Sequence, residues 1–176
     1  MTPLRLALVL ASLVTQSPAA DSLRLLAGRL PESALVVEIR ARPLVVREAV
    51  AGALARDDLP AARGLAAAYA AAWRDSFLVR EVARFEGWPS ERRAAKVWAD
   101  STRRAGVAAY GRAGPAAAIT IWRRALRRAR TIGDTSGIAA VLGNIGAGFL
   151  REGRLDSAEV YLERSRVMAA TIGDLR

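Results

Sequence analysis

Apolar residues recur at helical spacing near the end of the chain. Leu142, Ile145 and Phe149 fall at positions i, i+3 and i+7, so they share one face of a helix predicted over residues 135–152. Gly153 is expected to end this helix, because glycine readily adopts the left-handed conformation found at helix C-termini. The pattern predicts an amphipathic helix with one buried side.

A second helix is predicted to follow, opened by a capping box of Asp156 and Glu159 and closed at Gly173. Its apolar side chains are expected to turn inward, and they are Val160, Leu162, Val167 and Met168. The two helices form a helix-turn-helix hairpin, which we call the second hairpin (residues 135–176).

The tetrapeptide Thr-Ile-Gly-Asp occurs at residues 131–134 and again at 171–174, which is a spacing of 40 residues. Identical residues recur at the same offset in four further pairs: Gly106 and Gly146, Ala118 and Ala158, Arg124 and Arg164, Ala129 and Ala169. These matches predict an internal repeat. The preceding copy, residues 89–134, is called the first hairpin. Its helices are predicted over 91–111 and from Pro115 to Thr131.

The region from residue 21 to residue 88 is predicted from pattern alone. Residues 43–56 and 59–75 predict two helices, which would form a further divergent hairpin. Residues 34–40 contain β-branched side chains that suit a short strand, but Pro43 and the helical surroundings favour a helix.

The second hairpin carries small and large side chains at fixed places: Leu142, Ile145, Gly146, Phe149, Gly153, Ala158, Leu162 and Ser165. This pattern resembles the tetratricopeptide repeat family in its 40-residue form. The resemblance implies an all-α fold, an α-solenoid of antiparallel helical hairpins, in which Gly146 and Ala158 allow the helices to approach closely. The first hairpin matches less completely, because Thr102 and Ala109 replace expected large residues.

The resemblance implies a non-catalytic scaffold for protein-protein interaction, without a cofactor. First helices of the family line a concave groove, and the positions carried over are Arg103, Arg104, Val107, Tyr110, Ala140, Asn144, Ala147 and Arg151. In the family, an asparagine at the place of Asn144 often hydrogen-bonds a ligand backbone or carboxylate. The neighbouring arginines favour an acidic peptide or helix as the ligand.

Two further expectations come from the same resemblance. A last repeat without a polar cap leaves an apolar face open, which the family manages with capping helices or with self-association. Because members sometimes precede a caspase-like peptidase domain, an alternative is that the chain is the N-terminal repeat part of a larger signalling or peptidase protein.

The charge of the chain comes mainly from arginine, with 27 basic and 17 acidic residues, a net charge of +10, and Lys96 as the only lysine. Codon bias in a GC-rich genome is one explanation. Five arginines share one face of the predicted helix that ends at Thr131: Arg123, Arg124, Arg127, Arg128 and Arg130. We call this set the arginine face. It favours, as the alternative function, binding to nucleic acid or to an anionic surface. Nucleic acid is disfavoured, because no known binding module is present and export is predicted.

The chain contains neither cysteine nor histidine. Disulfides, thiolate metal sites and a Ser-His-Asp arrangement are therefore excluded, which argues against an enzyme. Gly143, Gly146 and Gly148 lack the preceding strand and the spacing of a dinucleotide fingerprint. We predict that these glycines serve helix packing, and we predict no catalytic residue, cofactor or metal site.

Residues 1–20 have the layout of a Sec-type signal peptide. Arg5 precedes an apolar run of about nine residues, and small residues follow around Ala19 and Ala20. The run is much shorter than the roughly 20 residues of a membrane-spanning helix, so no stable span is predicted. We expect export to the periplasm or the extracellular space, with a first amphipathic helix as the alternative.

Overall fold

The computed structural model describes residues 17–173, and its regular elements within that range are all α-helices. They are α1 (Pro18–Ala27), α2 (Glu32–Ala41), α3 (Val46–Ala55), α4 (Leu59–Trp73), α5 (Phe77–Glu86), α6 (Ser90–Ala113), α7 (Pro115–Thr131), α8 (Thr135–Arg151) and α9 (Leu155–Thr171). No strand occurs among the described residues, and segment 34–40 lies within α2. The all-α prediction is confirmed for this part of the chain.

The helices divide into two compact units between Arg93 and Ala94, in the first turn of α6. In the N-terminal unit, the alanine-rich helix α4 contacts α1, α2, α3 and α5. Its inward side carries alanines around the fully buried Leu65. Asp58 accepts a hydrogen bond from the Ala61 amide and so caps the N-terminus of α4. Small side chains let several helices pack closely around α4.

The C-terminal unit contains two hairpins, α6 with α7 and α8 with α9. Gly114 alone separates α6 from α7, with a φ of 83° that strongly favours glycine. Gly153, with a φ of 72°, makes the turn between α8 and α9. Ser165 near the end of α9 donates a hydrogen bond of 2.8 Å to the Ala139 carbonyl near the start of α8. The α8/α9 pair is therefore antiparallel.

The two hairpins have equivalent contacts at the 40-residue offset. A β-carbon at position 106 would overlap the Trp122 indole, and one at position 146 would lie 2.7 Å from Leu162 Cγ. Gly106 and Gly146 are repeat partners, and so are Trp122 and Leu162. In each hairpin a glycine of the first helix therefore accommodates a large side chain of the second. Gly146 therefore lies at a close approach of the two helices.

Overpacking at this crossing is expected to destabilise the second hairpin. Gly146→Leu or Ala158→Leu should each lower the free energy of unfolding by about 1–3 kcal/mol, because neither site has room for the added atoms. Urea denaturation measures the change. Gly111→Leu is the control, since no atom lies near a β-carbon at that position. Equal stability of the Gly146 and Gly111 variants would contradict the crossing described here.

Two details predicted for the last helix are wrong. The N-cap of α9 is Arg154, which makes no side-chain capping bond, so Asp156 lies in the first turn and forms no capping box with Glu159. The side chains of Val160, Leu162 and Val167 are not buried but 39% to 48% exposed. Val160 and Val167 remain exposed because no described helix covers the side of α9 that faces away from α8, whereas Leu162 lies against Gly146 of α8 and is only partly exposed. Ala158 is the buried residue of α9.

Most of the predicted signal peptide lies outside the described residues. Its last residues, Pro18 to Ala20, form the first turn of α1, and the Ser17 side chain accepts a hydrogen bond from the Ala20 amide. Within residues 17–173, no helix has both the length and the hydropathy that a membrane span requires.

Candidate functional site

The predicted groove residues of α8 form one narrow exposed stripe. Ala140, Ala147 and Arg151 are exposed, and Asn144 between them is half-buried. At about 100° per residue, the four positions fall within roughly 60° of one another around the helix. The remaining surface of α8 is largely buried against α7 and α9. This stripe is therefore the part of α8 that a ligand can reach.

The amide of Asn144 is the polar group of this stripe with unmet hydrogen-bonding capacity. Its Nδ2 atom is shielded from solvent and has no hydrogen-bond acceptor within residues 17–173. A shielded N–H donor without an acceptor is unfavourable by about 1–3 kcal/mol. A ligand oxygen would remove this penalty by accepting from Nδ2 once the Asn144 side chain has turned outward.

The predicted groove residues of α6 differ in what they contact. Val107 is exposed, whereas the Tyr110 ring packs against the hydrophobic core with its centroid 6.0 Å from that of Trp122. The Arg103 carbonyl accepts a hydrogen bond of 3.0 Å from Trp122 Nε1. Arg104 donates to Ser101 Oγ at 3.2 Å. Tyr110 therefore contributes to the core as well as to the surface.

A buried ion cluster links α6 to the start of α8, and the sequence did not predict it. Lys96 Nζ lies 2.8 Å from Asp134 Oδ2 and 3.1 Å from Asp100 Oδ2. Asp134, only 1% exposed, also accepts hydrogen bonds from the Gly137 amide and the Ser136 hydroxyl, so it caps the N-terminus of α8. Gly137 is required beside it, since a β-carbon there would overlap the carboxylate. This cluster fixes where α8 begins relative to α6.

The ionisation of Asp100 makes the cluster sensitive to acid. Burial alone would raise the pKa of this carboxyl, but the positive charges of Lys96, Arg103 and Arg104 outweigh it and hold the pKa below its ordinary value of 3.8. A lowered folded-state pKa means that the stabilising contribution is complete above the unfolded-state pKa and is lost as the pH falls through the folded-state pKa.

We expect the free energy of unfolding to fall as the pH drops below about 4. Denaturant titrations at neutral and acidic pH in wild type and Asp100→Asn measure this effect. The variant cannot ionise at position 100, so it should lose less stability than wild type between the two conditions. An identical acid dependence in both proteins would exclude this contribution of Asp100.

The arginine face lies on the solvent side of α7. All five side chains are exposed, whereas the opposite side of the helix contributes Ile119, Trp122 and Leu126 to the core. Within residues 17–173, none of the five forms an ion pair. Arg123 lies with its guanidinium carbon 5.9 Å from the centroid of the Phe149 ring. The face therefore presents its charge directly to solvent.

No protein-family model, no curated protein and no solved structure matches this chain.

Proposed function

We propose that the chain is a non-catalytic protein-interaction module of the tetratricopeptide type. In this proposal, α6 and α8 line a concave groove that binds a peptide or a helix of acidic character. The binding surface consists of the exposed stripe of α8 together with Arg103, Arg104, Val107 and Tyr110 of α6. Export, with cleavage near Ala20, is part of the same proposal and rests on the pattern of residues 1–20 alone.

The observation that carries the proposal is the equivalence of the two helix crossings. Gly106 beside Trp122 and Gly146 beside Leu162 occupy the same repeat positions. Two hairpins built on the same contact, and joined by a turn that places α8 against α7, are the arrangement from which a solenoid grows. A groove between first helices follows from continued stacking of this kind.

The chemistry of the stripe supports an extended acidic ligand. Ala140 and Ala147 are small and exposed, so a peptide backbone can approach α8 closely at these positions. Asn144 has an N–H donor without an acceptor, which becomes available to a ligand when the side chain turns outward, and an amide pairs well with a backbone carbonyl or a carboxylate. Arg103 and Arg151 carry guanidinium groups that form charge-assisted hydrogen bonds with carboxylates.

Selection from a displayed library of random linear peptides tests the proposal. We expect enrichment of acidic sequences on the full chain. For an enriched peptide, Asn144→Ala and Arg103→Ala should each weaken the Kd by roughly 10- to 100-fold, the loss expected for a hydrogen bond to a charged group. Arg124→Ala and Arg128→Ala, on the arginine face, are matched controls and should change it little. Weakening only in the control pair would refute the groove.

Self-association through the open side of α9 is a second candidate. The observation in its favour is the exposure of Val160 and Val167. Burial of such side chains against a second copy would remove apolar surface from water. Sedimentation velocity with Val167→Ser as the comparison decides between a monomer and an assembly of this kind.

A further inference from the structure

The positive charge of this protein is concentrated in one segment. Residues 101–133 hold eight of the 27 basic residues and none of the 17 acidic ones, so the remainder of the chain is nearly balanced, with 19 basic against 17 acidic residues. Codon bias would distribute arginine throughout the chain. The excess charge therefore calls for an explanation specific to this segment, and five of its eight cations form the arginine face.

Several arginines elsewhere in the structure pair with a nearby carboxylate. Arg24 lies 2.8 Å from Asp58, Arg63 lies 2.7 Å from Glu86, and Arg166 pairs with Glu163 one turn before it. The arginine face has no such partners among the described residues, and α7 contains neither aspartate nor glutamate. Five like charges within two turns repel one another unless anions are bound near them. The face is thus suited to an extended anionic partner.

Two exposed leucines near the α8–α9 turn are next in sequence to residues that contact Arg123 or share its aromatic ring. The guanidinium carbons of Arg123 and Arg154 lie 5.9 Å and 4.4 Å from the centre of the same Phe149 ring. Leu150 and Leu155, each adjacent in sequence to a member of this contact, are 54% and 64% exposed. The cations of α7 therefore continue into the α8–α9 turn, where two large apolar side chains face solvent.

We propose that the arginine face, with Leu150 and Leu155, binds the headgroup layer of a membrane that contains anionic phospholipids. Guanidinium groups match phosphate oxygens in two parallel hydrogen bonds, and the whole face uses arginine. The core-facing side of α7 is already buried, so the helix binds on top of the headgroups rather than among the acyl chains. Transfer of the two leucine side chains from water into the membrane–water interface is favourable, as it is for apolar residues of peripheral membrane proteins.

A nucleic acid fits the same residues less well. The exposed leucines would stay in contact with water beside a phosphate backbone, so they would contribute no binding free energy. The solvent side of α7 carries alanine, threonine and arginine only. It offers no aromatic ring for base stacking and no amide for reading base edges. The combination of cations with exposed leucines therefore favours a lipid surface.

Flotation with phospholipid vesicles tests this proposal on the full chain. We expect binding to phosphatidylcholine vesicles that contain about 30% phosphatidylglycerol, and much weaker binding to phosphatidylcholine alone, with a decline at high salt. The triple variant Arg124→Gln/Arg127→Gln/Arg128→Gln should reduce the phosphatidylglycerol-dependent partition by roughly 100-fold, since each arginine near the surface contributes about fivefold. Residues 1–20 are present in wild type and in every variant. Vesicle binding by the apolar run near Arg5 is therefore the same in all of them and does not affect the comparison.

The control triple Arg29→Gln/Arg40→Gln/Arg63→Gln removes the same charge from exposed positions of the N-terminal unit. It should retain vesicle binding. Leu150→Ser/Leu155→Ser keeps the net charge and should weaken partition measurably. The proposal is overturned if both triple variants bind equally, if the double serine variant binds like wild type, or if the chain binds a DNA duplex and not the anionic vesicles. Circular dichroism confirms that each exposed-site variant remains folded.

Discussion

Asp134→Ala is expected to lower the free energy of unfolding by about 3 kcal/mol at neutral pH. The substitution removes the N-cap of α8 and one of the two carboxylates that face the largely buried ammonium of Lys96. Removal of one partner from a buried ion pair leaves an uncompensated charge, which by itself costs about 3–5 kcal/mol. Lys96 retains Asp100 at 3.1 Å, so the lower end of this range applies.

Two matched variants separate the contributions. Asp134→Asn keeps a capping side chain but removes the charge, so its free energy of unfolding should fall between those of wild type and Asp134→Ala. Asp156→Ala removes an exposed carboxylate from the first turn of α9, where no cap is formed, and should change stability by less than about 0.5 kcal/mol. If urea denaturation gave equal losses for the alanine variants at 134 and 156, the ion cluster would not stabilise the fold.

The helices of the C-terminal unit were predictable because their ends carry strong local signals. Gly114 followed by Pro115 indicates the end of one helix and the start of the next, and the structure places the break there. Gly153 and Gly173 both have a φ of 72°, a conformation for which glycine is favoured. Boundaries of this kind depend on the residues beside them, so a single sequence is sufficient to locate them.

Burial on α9 could not be predicted in the same way. Periodicity identifies which side chains share a face, but it does not show whether another helix covers that face. Val160 and Val167 are seven residues apart and so lie on the same side of α9, roughly opposite to Ala158. Ala158 and Ser165 face α8, and the valines consequently face solvent.

The ion cluster illustrates a second limit of prediction from a single sequence. Lys96 and Asp134 come from separate helices and are brought together only by the packing of α6 against the turn before α8. Two signals were nevertheless present in the sequence: Lys96 is the only lysine, and Asp134 ends the repeated Thr-Ile-Gly-Asp. For the proposed groove, the sequence indicated the stripe of α8, but only the structure shows that Asn144 Nδ2 is shielded and has no acceptor within residues 17–173.

The largest single loss of stability is expected for Phe149→Ala, at about 3–5 kcal/mol. Phe149 is 2% exposed, belongs to the core shared by α7, α8 and α9, and lies with its ring centroid 5.4 Å from that of Tyr161. Arg123 and Arg154 also lie against its ring, so the truncation removes two cation–π contacts along with the apolar contacts.

Leu150→Ala is the matched control for this truncation. Leu150 is the next residue of the same helix, is of similar apolar character and is more than half exposed, so its loss should be within about 0.5 kcal/mol. The first hairpin has Ala109 at the position equivalent to Phe149, and there the Tyr110 and Trp122 rings pack together nearby. The second hairpin has no equivalent of the Tyr110/Trp122 ring pair. Phe149→Ala therefore leaves a cavity there. If thermal and urea unfolding showed the variants at 149 and 150 to be equally stable, the second hairpin would not be packed around Phe149.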